Sequence, residues 1–427
     1  MNNAIKIKSF APITTIVTLI VILWLSAFPA MAFDRTVKPI TAKALRNLSL
    51  AQQFIDDKAY GKAIKELGIL QAGEARLNAH EIAMTYSLLG FIAYTKEDIP
   101  TAIKHYHQVI QHAKSIPENL EYSTVFGLAQ MYFAQKKFDG AVKFMRHWLR
   151  LTGTESVQGQ LLLAQSYYQL KKYKYGVAPI KEAIRINESK NKAIDENWLL
   201  LLRVLYYENN QPDMAIQTMF DLILLNSKKE YFIQLASLYG QQKNLNKQIE
   251  IYDALYKDQR LDKENEIITY SMLLANLNMP FYSAKVLEDS INSGLIESNS
   301  KHTLMAADQY ASANEMDQAI RLYGLNNTQN DQTGRSAYLA GRLASLKQNW
   351  TQAKFYLEIA LNKGQLDRVD QVQTMLAVAL MNLNDFDNAR VAFLKAKEDK
   401  RSIKTSNSWL KYLNAQERHV ASVDKYL

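Results

Sequence analysis

Residues 86–110 read YSLLGFIAYTKEDIPTAIKHYHQVI, and this stretch decides the fold. Leu89 and Gly90 stand side by side, Ala102 follows twelve residues after Gly90, and Tyr106 four after that. Between them lies the polar break Thr95-Lys96-Glu97-Asp98, with Ile99 behind it. Two helices can approach to about 8–10 Å only where small residues face each other at the crossing. Gly90 and Ala102 meet that need, with Tyr106 filling the space beside them. The stretch predicts one antiparallel helical hairpin turning at residues 95–98.

The rest of the chain repeats it. Equivalents of Ala102 fall at Ala63, Ala141, Gly176, Ala215, Gln248, Ala284, Ala319, Ala353 and Ala389, in steps of 33 to 39 residues. Twelve residues before each lies a second, mostly small set: Ala51, Gly90, Ala129, Ala164, Arg203, Ala236, Met272, Ala307, Gly341 and Ala377. Three residues before each stands an apolar helix start, such as Tyr60, Ile99, Phe138, Tyr173, Phe281 or Trp350, with Pro212 in the fifth unit, where a first-turn proline is tolerated. Arg203, Met272 and Gln248 depart from the pattern and loosen the phase of the fifth to seventh units. The longer steps need extra residues, for which the polar stretches 115–119 and 187–192 offer room.

Small residue, apolar start, alanine and then a large apolar residue, at this period, resembles the tetratricopeptide repeat (TPR). The resemblance implies an all-α, right-handed superhelical solenoid of about ten antiparallel helix-turn-helix hairpins. The array is expected over residues 41–398, with a carboxy-terminal capping helix and tail over 399–427 built around Trp409, Leu410, Tyr412 and Leu413. No linker rich in Pro, Gly or Ser divides it. Glycine (15) and proline (8) are scarce, as helices require.

At the amino terminus, Lys6 and Lys8 precede an uncharged run over residues 9–33, whose apolar heart is 13–28, followed by Pro29 and Ala30-Met31-Ala32. That order predicts a signal peptide over residues 1–32, cleaved after Ala32. The competing reading is an uncleaved anchor, since the apolar heart nearly reaches spanning length. Either way the remaining chain lies across a membrane from the cytoplasm, in the periplasm of a Gram-negative cell, and membrane contact runs only through that segment if it is retained. The absence of cysteine (0) excludes disulfides, thiolate metal sites and a cysteine nucleophile.

For catalysis the sequence offers nothing: no Gly-rich phosphate loop and no Gly-x-Ser-x-Gly elbow. No cofactor, metal or small-molecule substrate is expected. His105, His107 and His112 lie close in sequence, but without a carboxylate one turn away they are read as surface or partly packed residues. In proteins of the resembled family the first helix of each hairpin lines a groove. Four residues after the first small residue the chain holds Tyr94, Phe133, Tyr168 and Tyr207 in units two to five, with Phe91 and Phe126 on the same faces. Aromatic side chains with a polar edge are favoured anchors for a protein partner. The bland alternative is packing within the hairpins. The family's clamp for a terminal carboxylate needs lysine at its first position, and none of the ten units has one there.

Formal net charge is +9, and residues 133–192 alone carry twelve Lys or Arg against four Asp or Glu. Lys136-Lys137 and Lys171-Lys172-Tyr173-Lys174 fall at turns inside hairpins, where they would line one edge. An acidic partner or anionic lipid surface is the functional reading, and nucleic acid is disfavoured by the export signal. The chain is thus expected to be an exported, non-enzymatic scaffold that holds protein partners, components of an envelope or inner-membrane complex. Its layout is similar to exported TPR proteins that accompany TonB-type energy-transduction systems in iron uptake. The alternative is an assembly factor for outer-membrane, polysaccharide-export or pilus machinery.

Overall fold

The computed structural model describes residues 35–423 apart from 36, 154 and 330; the expected signal segment lies outside them. The described residues form twenty-one α-helices and two short 3-10 turns, and no strand. The chain divides into two compact units, the first ending at Ser227 and the second beginning at Lys228. Among the described residues no helix is long and apolar enough to cross a membrane.

Unit 1 holds five hairpins. They are α1 (Ala42–Asp56) with α2 (Tyr60–Ala72), α3 (Ala79–Thr95) with α4 (Ile99–Gln111), and α5 (Glu118–Ala134) with α6 (Phe138–Thr152). The fourth is α7 (Val157–Gln169) with α8 (Tyr173–Ser189), and the fifth α9 (Glu196–Glu208) with α10 (Pro212–Leu225). Unit 2 holds five more: α11 (Lys229–Gln241) with α12 (Leu245–Lys257), α13 (Glu264–Asn276) with α14 (Pro280–Asn292), and α15 (Ser300–Ser312) with α16 (Met316–Gln329). They are followed by α17 (Arg335–Leu346) with α18 (Trp350–Lys363), and α19 (Val369–Asn382) with α20 (Phe386–Lys397). The single helix α21 (Ile403–Val423) closes unit 2, packing on α20. Each helix packs on its neighbour in sequence within its unit, and in unit 1 the first helices α1 and α3, and α7 and α9, also touch.

The crossing residues are where the spacing places them. Ala51, Ala63, Ala102, Ala129, Ala141, Ala164, Ala215, Ala236, Ala307, Ala319, Ala353, Ala377 and Ala389 are all fully buried. A Cβ added to Gly90 would lie 3.1 Å from the Tyr106 ring, so the glycine lets that ring lie against the helix. The apolar residues four beyond the crossing, including Leu67, Met145, Ile180, Met219, Leu357 and Phe393, are fully buried.

The seventh hairpin differs from the expected register by one residue. Met272 is 55% exposed, whereas Ser271 is 2% exposed and its Oγ lies 2.8 Å from the Oγ of Ser283. The crossing pair is therefore Ser271 and Ser283, the helix starts at Pro280 rather than Phe281, and Leu287 is the buried residue four beyond. The two serines bond each other at the crossing, and Ala284 beside them is also buried.

All ten turns have one geometry. The residue two before each second helix is left-handed: Lys58, Glu97, Lys136, Lys171, Asn210, Lys243, Asn278, Asn314, Gln348 and Asn384, with φ between 56° and 63°. In the second hairpin Glu97 N–H donates to the Tyr94 carbonyl and Asp98 N–H to that of Ala93, the paired bonds of a Schellman ending. Asp98 then accepts from the Thr101 N–H and caps the second helix. The extra residues of the first two long steps form the 3-10 turns Glu74–Arg76 and Ala113–Ser115 and an additional turn of α3 and α5, each 17 residues long. The room expected at 187–192 is used by α8, also of 17 residues, and the turn after it.

Carboxylates near the starts of first helices fasten successive elements. Glu81 of α3 accepts from the backbone N–H groups of Asn78 (2.8 Å) and of Thr41, at the start of hairpin one (2.7 Å). Glu266 of α13 binds Lys229 at the start of α11 at 3.0 Å. Asp370 of α19 takes a fork from Arg368 and a 2.6 Å bond from Ser402, just before α21. The chain ahead of α1 is held in the same way. Arg35 Nη1 donates to Glu121 (2.6 Å) and to the Ala113 carbonyl (2.9 Å), and the Pro39 carbonyl accepts from Asn78.

Candidate partner-binding face

The Schellman ending explains where the aromatic ladder sits. Tyr94, Phe133, Tyr168 and Tyr207 lie two residues before the helix cap in each first helix, and their carbonyls accept the N–H of the left-handed turn residue. Their rings therefore stand at one end of each first helix, all at the turn side of the hairpin. The members are not equally free. Phe133 meets Phe138 edge-on at 5.3 Å, and Tyr168 meets Tyr173 at 6.0 Å, so each packs on the start of its own second helix and is half-buried. Tyr94 is half-buried beside Tyr106, and burial pushes its phenol pKa up. Tyr207 is 40% exposed. Phe126 is half-buried against Trp148 of α6 at 4.9 Å, and Phe91 packs on the core of the first two hairpins. Packing and exposure thus coexist: Tyr94, Phe133 and Tyr168 are partly packed in their hairpins, and Tyr207 is exposed.

The same faces hold amides that the aromatic pattern does not signal. Residues spaced i, i+4, i+7 share a helix face. On α3 they are Ser87, Phe91 and Tyr94; on α5 Phe126, Gln130 and Phe133; on α7 Leu161, Gln165 and Tyr168; on α9 Leu200, Val204 and Tyr207. None is charged, and all but Tyr207 are half-buried. The Gln130 Oε1 is buried without a hydrogen-bond partner among the described residues. Glutamine one residue after the small residue, at 130 and 165, is the signal that would have found this.

In unit 2 the matching faces are different. The positions in line with the ladder hold Gly240, Ala275, Ala311, Ser345 and Met381, and Asp308 and Arg342 stand one turn before two of them. Unit 2 has an aromatic cleft between α18, α19 and α21, lined by Trp350, Val378, Met381, Trp409 and Tyr412. Trp409 stacks on Phe393 at 5.9 Å, which fixes the capping helix to the last hairpin.

Of the three histidines, His105 and His107 are packing residues and His112 is the half-buried cap of α4. His107 Nε2 lies 2.9 Å from the Tyr132 hydroxyl and its ring meets Phe144 edge-on. Burial, with Lys143 nearby, pushes its pKa down; burial does the same to His105, beside Lys104 and against the Tyr86 ring. Among the described residues no group of three or more His, Cys, Asp or Glu side chains is placed to hold a metal ion. Of the turn lysines, Lys136, Lys137, Lys171, Lys172 and Lys174 are all exposed, and Lys172 pairs with Asp139 of the preceding hairpin at 3.0 Å.

A protein-family profile described as "Anaphase-promoting complex, cyclosome, subunit 3" matches residues 95–183. No curated protein matches the chain. Among solved structures, the chain is similar to the MamA protein at 18% identity, over 42% of this chain and 95% of that one, with a TM-score of 0.32. A structure of Naa15/Naa10 bound to HypK-THB is 12% identical over 86% of this chain and 65% of that one, with a TM-score of 0.45. YrrB, described as a TPR protein with an unusual peptide-binding site, is 14% identical over 44% of this chain and 91% of that one, with a TM-score of 0.33.

Proposed function

We propose that the chain is an exported scaffold that holds an extended segment of a protein partner along the first-helix face of unit 1. The observation that carries this reading is the uncharged face of α3, α5, α7 and α9, which holds an aromatic ring at the turn end of each helix and a glutamine beside it on α5 and α7. Rings fixed on one edge lose little rotamer freedom on binding, so contact with them is inexpensive. Glutamines spaced along a solenoid face, as Gln130 and Gln165 are, can pair with the N–H and C=O groups of an extended backbone. The hairpins themselves supply what a protein-interaction scaffold needs, a rigid row of equivalent positions.

The partner fits a component of an envelope complex. The export segment read at residues 1–32 and the TPR-like layout support a TonB-type energy-transduction accessory in iron uptake as the specific role. The test is photo-crosslinking in cells from positions 94, 133, 168 and 207, with mass spectrometry of the captured protein. Capture of a TonB-like or proton-channel component at these positions supports the full reading. Capture of polysaccharide-export, outer-membrane assembly or pilus proteins keeps the scaffold and rejects the iron-uptake role. Crosslinks only from exposed second-helix positions would remove the groove itself.

A further inference from the structure

We propose that the exposed face of α6 and α8 docks on an anionic lipid surface, aligned there by the amino-terminal end of unit 1. On α6 the solvent face carries Lys143, Arg146 and Arg150, spaced i, i+3, i+7. On α8 it carries Lys174, Lys181 and Arg185. The two helices flank α7, and the Lys172–Asp139 pair ties the start of α8 to the start of α6. Acidic groups on these faces are few: Asp139 is taken by Lys172, Glu182 by Arg185, and Glu188 stands at the end of α8. Lys143, Arg146, Arg150, Lys174 and Lys181 have no ion pair among the described residues, although Lys143 stands 5.7 Å over the Phe144 ring. Cations kept free of partners on a helix face are not stabilising the fold, and their mutual repulsion costs it something.

The chain's path selects lipid over an acidic protein. Arg35 is bonded to Glu121 and to the Ala113 carbonyl, and His147 of α6, next to Arg146, approaches the same Glu121 at 3.8 Å. The described chain therefore begins beside the basic face of α6. The uncharged run over residues 9–33 ends two residues earlier, within about 7 Å of Arg35 even when fully extended. If that run is retained as an anchor, it brings bilayer to this edge. The surface is separate from the first-helix face and does not depend on what binds there.

The test uses the chain as isolated from expressing cells. It is mixed with vesicles of phosphatidylcholine alone, or of equimolar phosphatidylcholine and phosphatidylglycerol, and its lysines are briefly acetylated and read by mass spectrometry. Acetylation of Lys143, Lys174 and Lys181 is expected to slow severalfold with phosphatidylglycerol, not with phosphatidylcholine alone, and to recover in about 1 M salt, where the screening length falls to roughly 3 Å. Replacing Arg146 and Arg150 by Gln should weaken the protection roughly fivefold for each cation removed. Equal acetylation with both vesicles overturns the proposal, as does full protection in the folded Arg146→Gln, Arg150→Gln variant. Polyglutamate at matched charge protecting the same lysines as well as the vesicles would overturn it in favour of an acidic polypeptide.

Discussion

In unit 1 four successive first helices end in an aromatic ring, while unit 2 places Gly240, Ala275, Ala311, Ser345 and Met381 at the matching positions. The crossing residues of the two units are nevertheless alike: Ala63, Ala102, Ala141 and Ala215 in the first, Ala319, Ala353 and Ala389 in the second, all fully buried. Closing a hairpin needs the small pair and the large residue four beyond it. It does not need the last-turn residue of the first helix, which only leans on the start of the second. That position is free to specialise: four helices of unit 1 place a ring there, and none in unit 2 does.

The largest effects should come from overfilling a crossing. Ala102→Leu in unit 1 and Ala353→Leu in unit 2 should each cost about 1–3 kcal/mol, because a close-packed crossing cannot admit the added methylenes. Hydrogen exchange should show protection lost first in the hairpins around the substitution. An Ala102→Leu chain that lost protection evenly through both units would erase the distinction between them.

Partner binding should split the units more sharply. Tyr168→Ala, once a partner is captured, should weaken binding by about 1–2 kcal/mol, as truncating a central aromatic anchor does. Ser345→Ala, the unit 2 counterpart, should leave the isotherm unchanged. Equal losses from both substitutions would mean that both faces carry the partner.

Acid should loosen the capping helix. The Arg368 guanidinium, with Ser402, holds the Asp370 carboxyl well below its ordinary value of 3.8. A carboxyl whose folded pKa is depressed stabilises fully above its unfolded pKa, and the gain is lost as pH falls below about 4. Glu81 in unit 1 is shifted the same way: burial pushes it up, and hydrogen bonds from Thr41 and Asn78 more than offset that. Exchange protection of α21 should therefore drop between about pH 4 and 2 in the native chain. In Asp370→Asn it should already be lowered at pH 7 and change little with acid. A native-like acid profile in that variant would place the sensitivity elsewhere.

The smallest effect tests the turns. Lys171→Gly should raise stability by at most about 1 kcal/mol, since a left-handed backbone costs a lysine more than it costs glycine while the unfolded chain gains freedom. Asn314→Gly in unit 2 should change the melting temperature less, because asparagine tolerates that conformation.

Most of the hairpin array was legible because its determinants are local. Gly90, Ala102 and Tyr106 lie within one stretch, and their spacing is enough to predict the crossing. The seventh hairpin was misread by one residue because Ala284 resembles the repeated alanine more than Ser283 does. Only the Ser271–Ser283 hydroxyl contact and the exposure of Met272 reveal the register. The turns were hidden for another reason: Lys58, Lys136, Lys171 and Lys243 adopt a conformation expected of glycine or asparagine. The spacing of the ladder residues does not disclose how far Phe133 and Tyr168 lean on Phe138 and Tyr173.

The bonds from Arg35 and Pro39 also set an order of events during synthesis. These residues leave the ribosome before any hairpin, yet Asn78 lies 39 residues later and Glu121 86 residues later. At roughly 5–20 residues per second, the first hairpin must wait several seconds for the partners of its own leading strand. The end of unit 1 made first is thus completed only once the first helix of the third hairpin has emerged. Until then the residues ahead of α1 are open to other contacts.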